Sequence, residues 1–247
     1  MQLQLPNMII GLFLLSGVSG MLGLGVAFAA LPFLGFYFTD LVHQVQPLCL
    51  LLNGITALFA VFGFAESGGL EWRKAGLLAL VTTVAAPLGS LLVQRLDATY
   101  VWYVYFVAVV FLAWRLWHPV APRETGQEHF TLALVLAFPI ALLSGLLGVG
   151  PGFLLMPTLI LLGFETKRAA GINALAVTPP SFSALIPHLA TARLDPSVAI
   201  PLIVAGAIGS FLGARYSSRL LSGVRIKQIF GGLIVVMTLV KVSTLYR

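Results

Sequence analysis

Two glycine clusters, each opened by a serine and closed by a proline, are the residues of this chain best suited to do chemistry. Ser19-Gly20-Met21-Leu22-Gly23-Leu24-Gly25-Val26-Ala27-Phe28 leads to Pro32, and Ser144-Gly145-Leu146-Leu147-Gly148-Val149-Gly150-Pro151-Gly152-Phe153 leads to Pro157. Every serine, glycine, phenylalanine and proline of the first copy is matched at an offset of 125 residues, which marks an internal duplication. Glycine at this density does not sustain a good helix, so each cluster breaks the backbone and bares amides and carbonyls within a long apolar stretch. In a bilayer such groups persist only where protein buries them or where they line a polar cavity, and paired breaks in corresponding halves point to a transporter's substrate site.

The helical arms restart near Val26 and near Gly152, which aims two helix N-termini at the molecular centre. Free amides and the positive end of the helix dipole make such a terminus an anion site. Ser19, Gly23 and Gly25 in the first copy, with Ser144, Gly148, Gly150 and Gly152 in the second, form its expected backbone frame. Gln46, Asn53, Asn173 and Thr178 are the expected side-chain donors, Asn53 standing 125 residues before Thr178. Ser181, Ser183, Thr82 and Thr83 are weaker choices, because a hydroxyl in a helix often bonds back to its own helix carbonyl. The competing reading is that these glycines only let helices pack closely. The constant offset, Pro151 inside the second cluster and the excess length of both segments favour a functional break.

The elements that must hold these residues are membrane spans. Hydrophobic residues make up 59% of the 247 residues and charged ones 9%, with a mean hydropathy of +1.02, which places the chain among polytopic membrane proteins. The formal charge of +6 does not imply nucleic acid, since the 14 Lys and Arg are scattered at the ends of apolar segments, where they act as topology signals. Cys49 has no partner cysteine and reads as a small core residue. No Lys or Arg precedes Arg73, so a basic signal-peptide region is missing and the N-terminal stretch reads as mature structure.

Apolar segments run over 7–38, 47–64, 75–92, 100–117, 130–164, 169–190, 196–221 and 226–245. The first and fifth exceed one ordinary span and carry the glycine clusters. If both are full spans, the basic residues divide seven to seven and no orientation is specified. If both are re-entrant, Arg73, Lys74, Arg115, Arg123, Lys167, Arg168, Arg215, Arg219, Arg225 and Lys227 share one side, ten against four. The positive-inside rule then puts both termini outside. Because a hairpin plus three spans crosses an odd number of times, the second copy would be inverted relative to the first. The expected architecture is all-α and polytopic: a first repeat over 1–117, a polar linker over 118–129 and a second repeat over 130–247. The linker's His118, His129, Glu124 and Glu128 match no metal-site spacing.

These residues resemble the TauE/SafE sulfite exporter family. The resemblance rests on the duplicated glycine break and its proline, on Leu159, Gly163 and the stretch from Arg168 to Leu175, and on Gly209-Ser210-Phe211-Leu212-Gly213 beside Gly89-Ser90-Leu91-Leu92. It implies export of sulfite, related sulfur oxyanions or organosulfonates across a bacterial inner membrane. The chain departs from the family pattern at Pro151, Val26 and Ala27, where consecutive glycines are usual, and at Ile172-Asn173, where a Thr-Ser pair is usual.

All eight carboxylates, Asp40, Glu66, Glu71, Asp97, Glu124, Glu128, Glu165 and Asp195, fall in loops or at segment ends, so no mid-membrane proton relay is evident. His43 and His188 lie near segment ends. Nucleophile elbows, P-loops and metal-ligand histidine spacings are missing, which argues against an enzyme and against a cofactor. The function expected is a secondary transporter of a small anionic substrate in the lipid bilayer, with transport of another small anion or an ion-coupled solute as the alternative. A homo-oligomer is compatible with it.

Overall fold

The computed structural model describes residues 4–66, 70–117 and 128–220, with Val235 and Leu239 beyond them. Nine α-helices fill those residues: α1 (Leu5–Met21), α2 (Ala27–Leu34), α3 (Gln46–Glu66), α4 (Trp72–Val93), α5 (Ala98–Trp117), α6 (Phe130–Leu147), α7 (Gly152–Leu161), α8 (Thr166–Leu185) and α9 (Pro196–Leu220). A π-helical turn, Leu41–Val45, leads into α3, and a 3-10 turn, Ile186–His188, closes α8. Among the described residues, five stretches are long and apolar enough to cross a membrane: Leu41–Glu66, Trp72–Val93, Phe130–Leu147, Thr166–His188 and Pro196–Tyr216. The expected final segment, 226–245, and most of the linker lie outside the described residues.

Both glycine clusters break their helices, α1 giving way to α2 and α6 to α7. The arms are unequal. The 17 residues of α1 and 18 of α6 make rods of roughly 26 Å, whereas the 8 of α2 and 10 of α7 reach only about 12 to 15 Å. The second segment returns to the side it came from, because the His129 amide, just before α6, donates to Leu162 O, just after α7, at 3.0 Å. In the first segment the Phe33 ring near the end of α2 folds back beside Gly11 of α1.

Ion pairs fix the direction of the long helices. Glu71 and Lys74 at the start of α4 meet Glu128 before α6 and Arg168 at the start of α8, while Glu66 at the end of α3 faces Arg215 on α9 at 3.5 Å. At the opposite end, the Arg193 amide donates to His43 O and Gln94 donates to Pro187 O. Helices α3 and α8 therefore run antiparallel, and α4 runs parallel to α8.

Packing follows small residues. Helix α1 lies on α9 and α6 on α4; α3 lies on α9 and α8 on α4; α3 and α8 pack on each other. A β-carbon on Gly145 would strike Ala86 O and one on Gly89 would strike Leu142 O, so α4 and α6 touch through bare backbone. Gly20 against Ser210 and Gly213 against Gly17 do the same for α1 and α9. With lipid as solvent, the gain lies in dispersion across such contacts rather than in burial from water. Gly20, Gly89, Gly145 and Gly213 thus each lie where a β-carbon would meet the backbone of a neighbouring helix.

Candidate functional site

The two breaks are closed by the same bonds. After α1 the Gly23 amide donates to Gly20 O at 3.1 Å and the Leu24 amide to Ser19 O at 3.1 Å; after α6 the Gly148 amide donates to Gly145 O at 3.1 Å and the Val149 amide to Ser144 O at 3.0 Å. This is the Schellman arrangement, and it needs a residue in the left-handed region. Gly23 and Gly148 supply it at φ of 63° and 67°. Any other L-residue would be strained there by about 1 to 2 kcal/mol.

The breaks then meet one another. Leu24 O lies 2.5 Å from where a β-carbon on Gly152 would stand. Phe28 and Phe153, counterparts at the 125-residue offset, stack face to face with ring centroids 4.3 Å apart. Two carboxamides brace this junction, one bonding both breaks and the other bonding the first break to α8. Asn173 on α8 donates from Nδ2 to Gly23 O at 2.7 Å and to Gly152 O at 3.3 Å. Asn53 on α3 accepts the Ala27 amide on Oδ1 at 2.9 Å and donates from Nδ2 to Ser181 Oγ at 2.8 Å. Both are fully buried. Asn53 lies near the middle of its span, roughly 20 Å of helix from either end.

The other expected residues divide. Gln46 packs against Gly148 and donates to Leu146 O at 3.4 Å, with Oε1 unpartnered. Thr178 spends its hydroxyl on Ala174 O of its own helix at 2.9 Å, and Ser144 does likewise with Ile140 O at 2.7 Å. Ser19 is buried on the last turn of α1 with no partner for its hydroxyl. The space beside Gly25 and Gly150, expected to admit an anion, is filled by the Asn53 carboxamide. Thr56 was not expected: its Oγ1 accepts the Val26 amide at 3.3 Å. Its sequence signal is that Asn53 and Thr56 sit one helical turn apart and that their counterparts at the same offset are Thr178 and Ser181.

The polar groups at this junction are neutral amides, hydroxyls and backbone. The described carboxylates stay at the helix ends, where hydrogen bonds shape some of them. Asp40, for example, is pushed up by burial, but hydrogen bonds from the His43 amide and ring outweigh this and hold it below the usual carboxylate range. Chemically, the described residues of the junction offer helix-terminal amides, carboxamides and hydroxyls and, among them, no fixed charge, a set that can hold an anion and release it.

Comparison with known proteins identifies the family. Residues 8–240 match the family described as Sulfite exporter TauE/SafE. A probable membrane transporter protein of Methanocaldococcus jannaschii is 27% identical over 92% of this chain and 87% of its own length. One of Xylella fastidiosa is 31% identical over 74% and 72%, and one of Bacillus subtilis 20% identical over 85% and 89%. No solved structure matches the chain.

Proposed function

The chain belongs to the sulfite exporter TauE/SafE family of multi-pass membrane transporters, and from that premise we propose that it exports sulfite, a related sulfur oxyanion or an organosulfonate across the bacterial inner membrane. The observation that carries this reading is the junction of two glycine breaks mid-protein, held by Asn53 and Asn173 with no fixed charge among the described residues there. The two halves, 1–117 and 130–247, act as inverted repeats about this point. Three features support that arrangement: the Schellman bonds recur at one offset, Phe28 stacks on its own counterpart, and α3 runs antiparallel to α8. The helix pairings also exchange between halves, α1 on α9 answering α6 on α4.

Alternating access then moves the anion between the two ends by rocking one half against the other. Carrying one negative charge outward gains about 2.3 kcal/mol per 100 mV of inside-negative potential, enough to drive export without a proton relay. Uptake of labelled sulfite, methanesulfonate and sulfate into proteoliposomes, with valinomycin-clamped potentials and equal pH on both sides, tests this. Flux should follow the imposed potential. Flux that ignored the potential and answered only to a pH gradient would refute the mechanism, and no flux of any of the three would refute the substrate class.

A further inference from the structure

The charged pairs that open the two central helices are counterparts. Asp40 and His43 stand 125 residues before Glu165 and Arg168, Asp40 capping the π-helical turn into α3 and Glu165 preceding α8. His43 Nδ1 lies 2.9 Å from Asp40 Oδ1, and Arg168 Nε lies 3.7 Å from Glu165 Oε2. Because α3 and α8 run antiparallel, the pairs stand at opposite ends of the molecule, and each meets the other half there. At the end holding Lys74 and Lys167, the inner one by the charge rule, Arg168 reaches Glu71 at 3.5 Å and Glu128 at 3.8 Å. At the outer end the Arg193 amide donates to His43 O at 2.7 Å, and the Arg193 charge acts on the Asp40 carboxylate.

The crossing contact thus has opposite polarity at the two ends. Inside, the cation of the pair meets carboxylates across the interface, and an arginine keeps its charge at any working pH. Outside, the carboxylate of the pair meets a cation, and its neighbour on the same turn is a histidine, whose charge changes between about pH 5 and about pH 8. The titratable and charged groups that the described residues turn toward His43 are Asp40 on its own turn, His188 from the 3-10 turn after α8 and Arg193 from the loop before α9. His188 is fully buried, whereas the side chains of His43 and Asp40 are 43% and 33% exposed and so answer to the pH of the medium. A neutral His43 donates to Asp40 and leaves its negative charge to hold Arg193. A protonated His43 cancels that charge and repels Arg193 as well.

We propose that Asp40, His43 and Arg193 form a pH-sensitive latch on the outer end of the carrier, closed while His43 is neutral and loosened when it is protonated. The counterpart around Arg168 closes the inner end without that sensitivity. This rests on the reading of the chain as an alternating-access carrier and adds a control on one of its two openings. The latch sets how readily the outer end opens, and the membrane potential still supplies the drive.

The experiment is thiol labelling of the purified full chain in detergent, in a Cys49→Ala background. Leu41→Cys and, separately, Val45→Cys report from buried positions on the latch turn, and Ser197→Cys, exposed at the same end, supplies the reference rate at each pH. Relative to that reference, labelling at Leu41→Cys should rise at least about threefold between about pH 8 and about pH 5.5, the range over which a histidine gains its proton. Added to the same background, His43→Gln keeps a neutral donor and should hold labelling at the low level throughout. His43→Arg carries a fixed charge and should hold it at the high level throughout. If Leu41→Cys does not fold, Val45→Cys gives the same reading. No rise at a folded reporter, or a rise that persists in His43→Gln, overturns the latch. Labelling needs no transported anion, so its failure leaves the carrier reading standing, and an absence of anion flux in proteoliposomes refutes that reading by a separate measurement.

Discussion

Asn173 has two amide hydrogens to give. If one were turned to a bound anion, as the proposed function expects, its loss would cost roughly tenfold to a hundredfold in affinity, the scale of one uncharged hydrogen bond to a charged ligand at about 1.5 to 3 kcal/mol. Its Nδ2 is, however, shared between Gly23 O and Gly152 O, so it ties the two breaks together. Asn173→Ala is therefore expected to lower stability by about 1 to 3 kcal/mol as well, because two buried carbonyls lose their donor. Thermal unfolding in detergent, measured beside sulfite binding, separates the two effects; an unchanged melting temperature would show that the tie carries no weight. At Gly25 and Gly150 a side chain would drive Asn53 from its place, and at Gly25 it would also meet a backbone at φ of 70°. Gly25→Leu and Gly150→Leu should each abolish transport while the protein still inserts. Normal flux in both would remove the breaks from the mechanism.

At the scale of helices, the same glycine clusters hold residues with a different purpose. Gly145 and Gly89 bring α6 and α4 into backbone contact, and Ser90 Oγ donates to Gly145 O at 3.2 Å across that contact. Leucine at Gly145 would force the pair apart, and overpacking of this kind costs about 1 to 3 kcal/mol or more. The expected signature is loss of folded protein rather than loss of transport in a stable fold. Expression level and detergent stability of Gly145→Leu check it, and a stable, well-expressed but inactive variant would move Gly145 into the site instead. The contrast with Gly148, three residues later, is geometric: one glycine lies within a helix against a neighbour's carbonyl, the other closes the helix at a positive φ.

For the whole molecule, charge at the two ends orients the fold. Arg73, Lys74, Lys167, Arg168 and Arg215 gather where α4, α6 and α8 begin and α9 ends, whereas Arg95 and Arg193 stand at the other end. By the positive-inside rule the first group is expected on the cytoplasmic side. Single cysteines at Gln4 and Ser197, in a Cys49→Ala background, should label from outside the cell membrane, and one at Glu165 only after the cytoplasmic face is exposed. The reverse pattern at all three would invert the transporter and with it the direction assigned to each break.

The class of the protein was legible from composition because hydropathy is a local property that any fold must respect, and the breaks were legible because glycine's cost in a helix does not depend on its neighbours in space. The two glycine clusters could thus be named as breaks, and the 130–164 segment as too long for one span, before any contact was known, whereas it took the structure to show that Gly23, Gly25 and Gly148 are the cluster glycines at positive φ and that Gly150 is not. Thr178 had a local alternative, its own helix carbonyl, and took it. What Asn53 and Asn173 bond to was beyond the sequence, since Asn53 and its partner Ser181 are 128 residues apart, Asn173 and its acceptor Gly23 are 150 apart, and the packing of α3 and α8 decides which carbonyls and amides come within reach. The tertiary structure alone decided that the space beside Gly25 and Gly150 holds a carboxamide, because a neutral side chain from one helix is the nearest acceptor for the free amides of another.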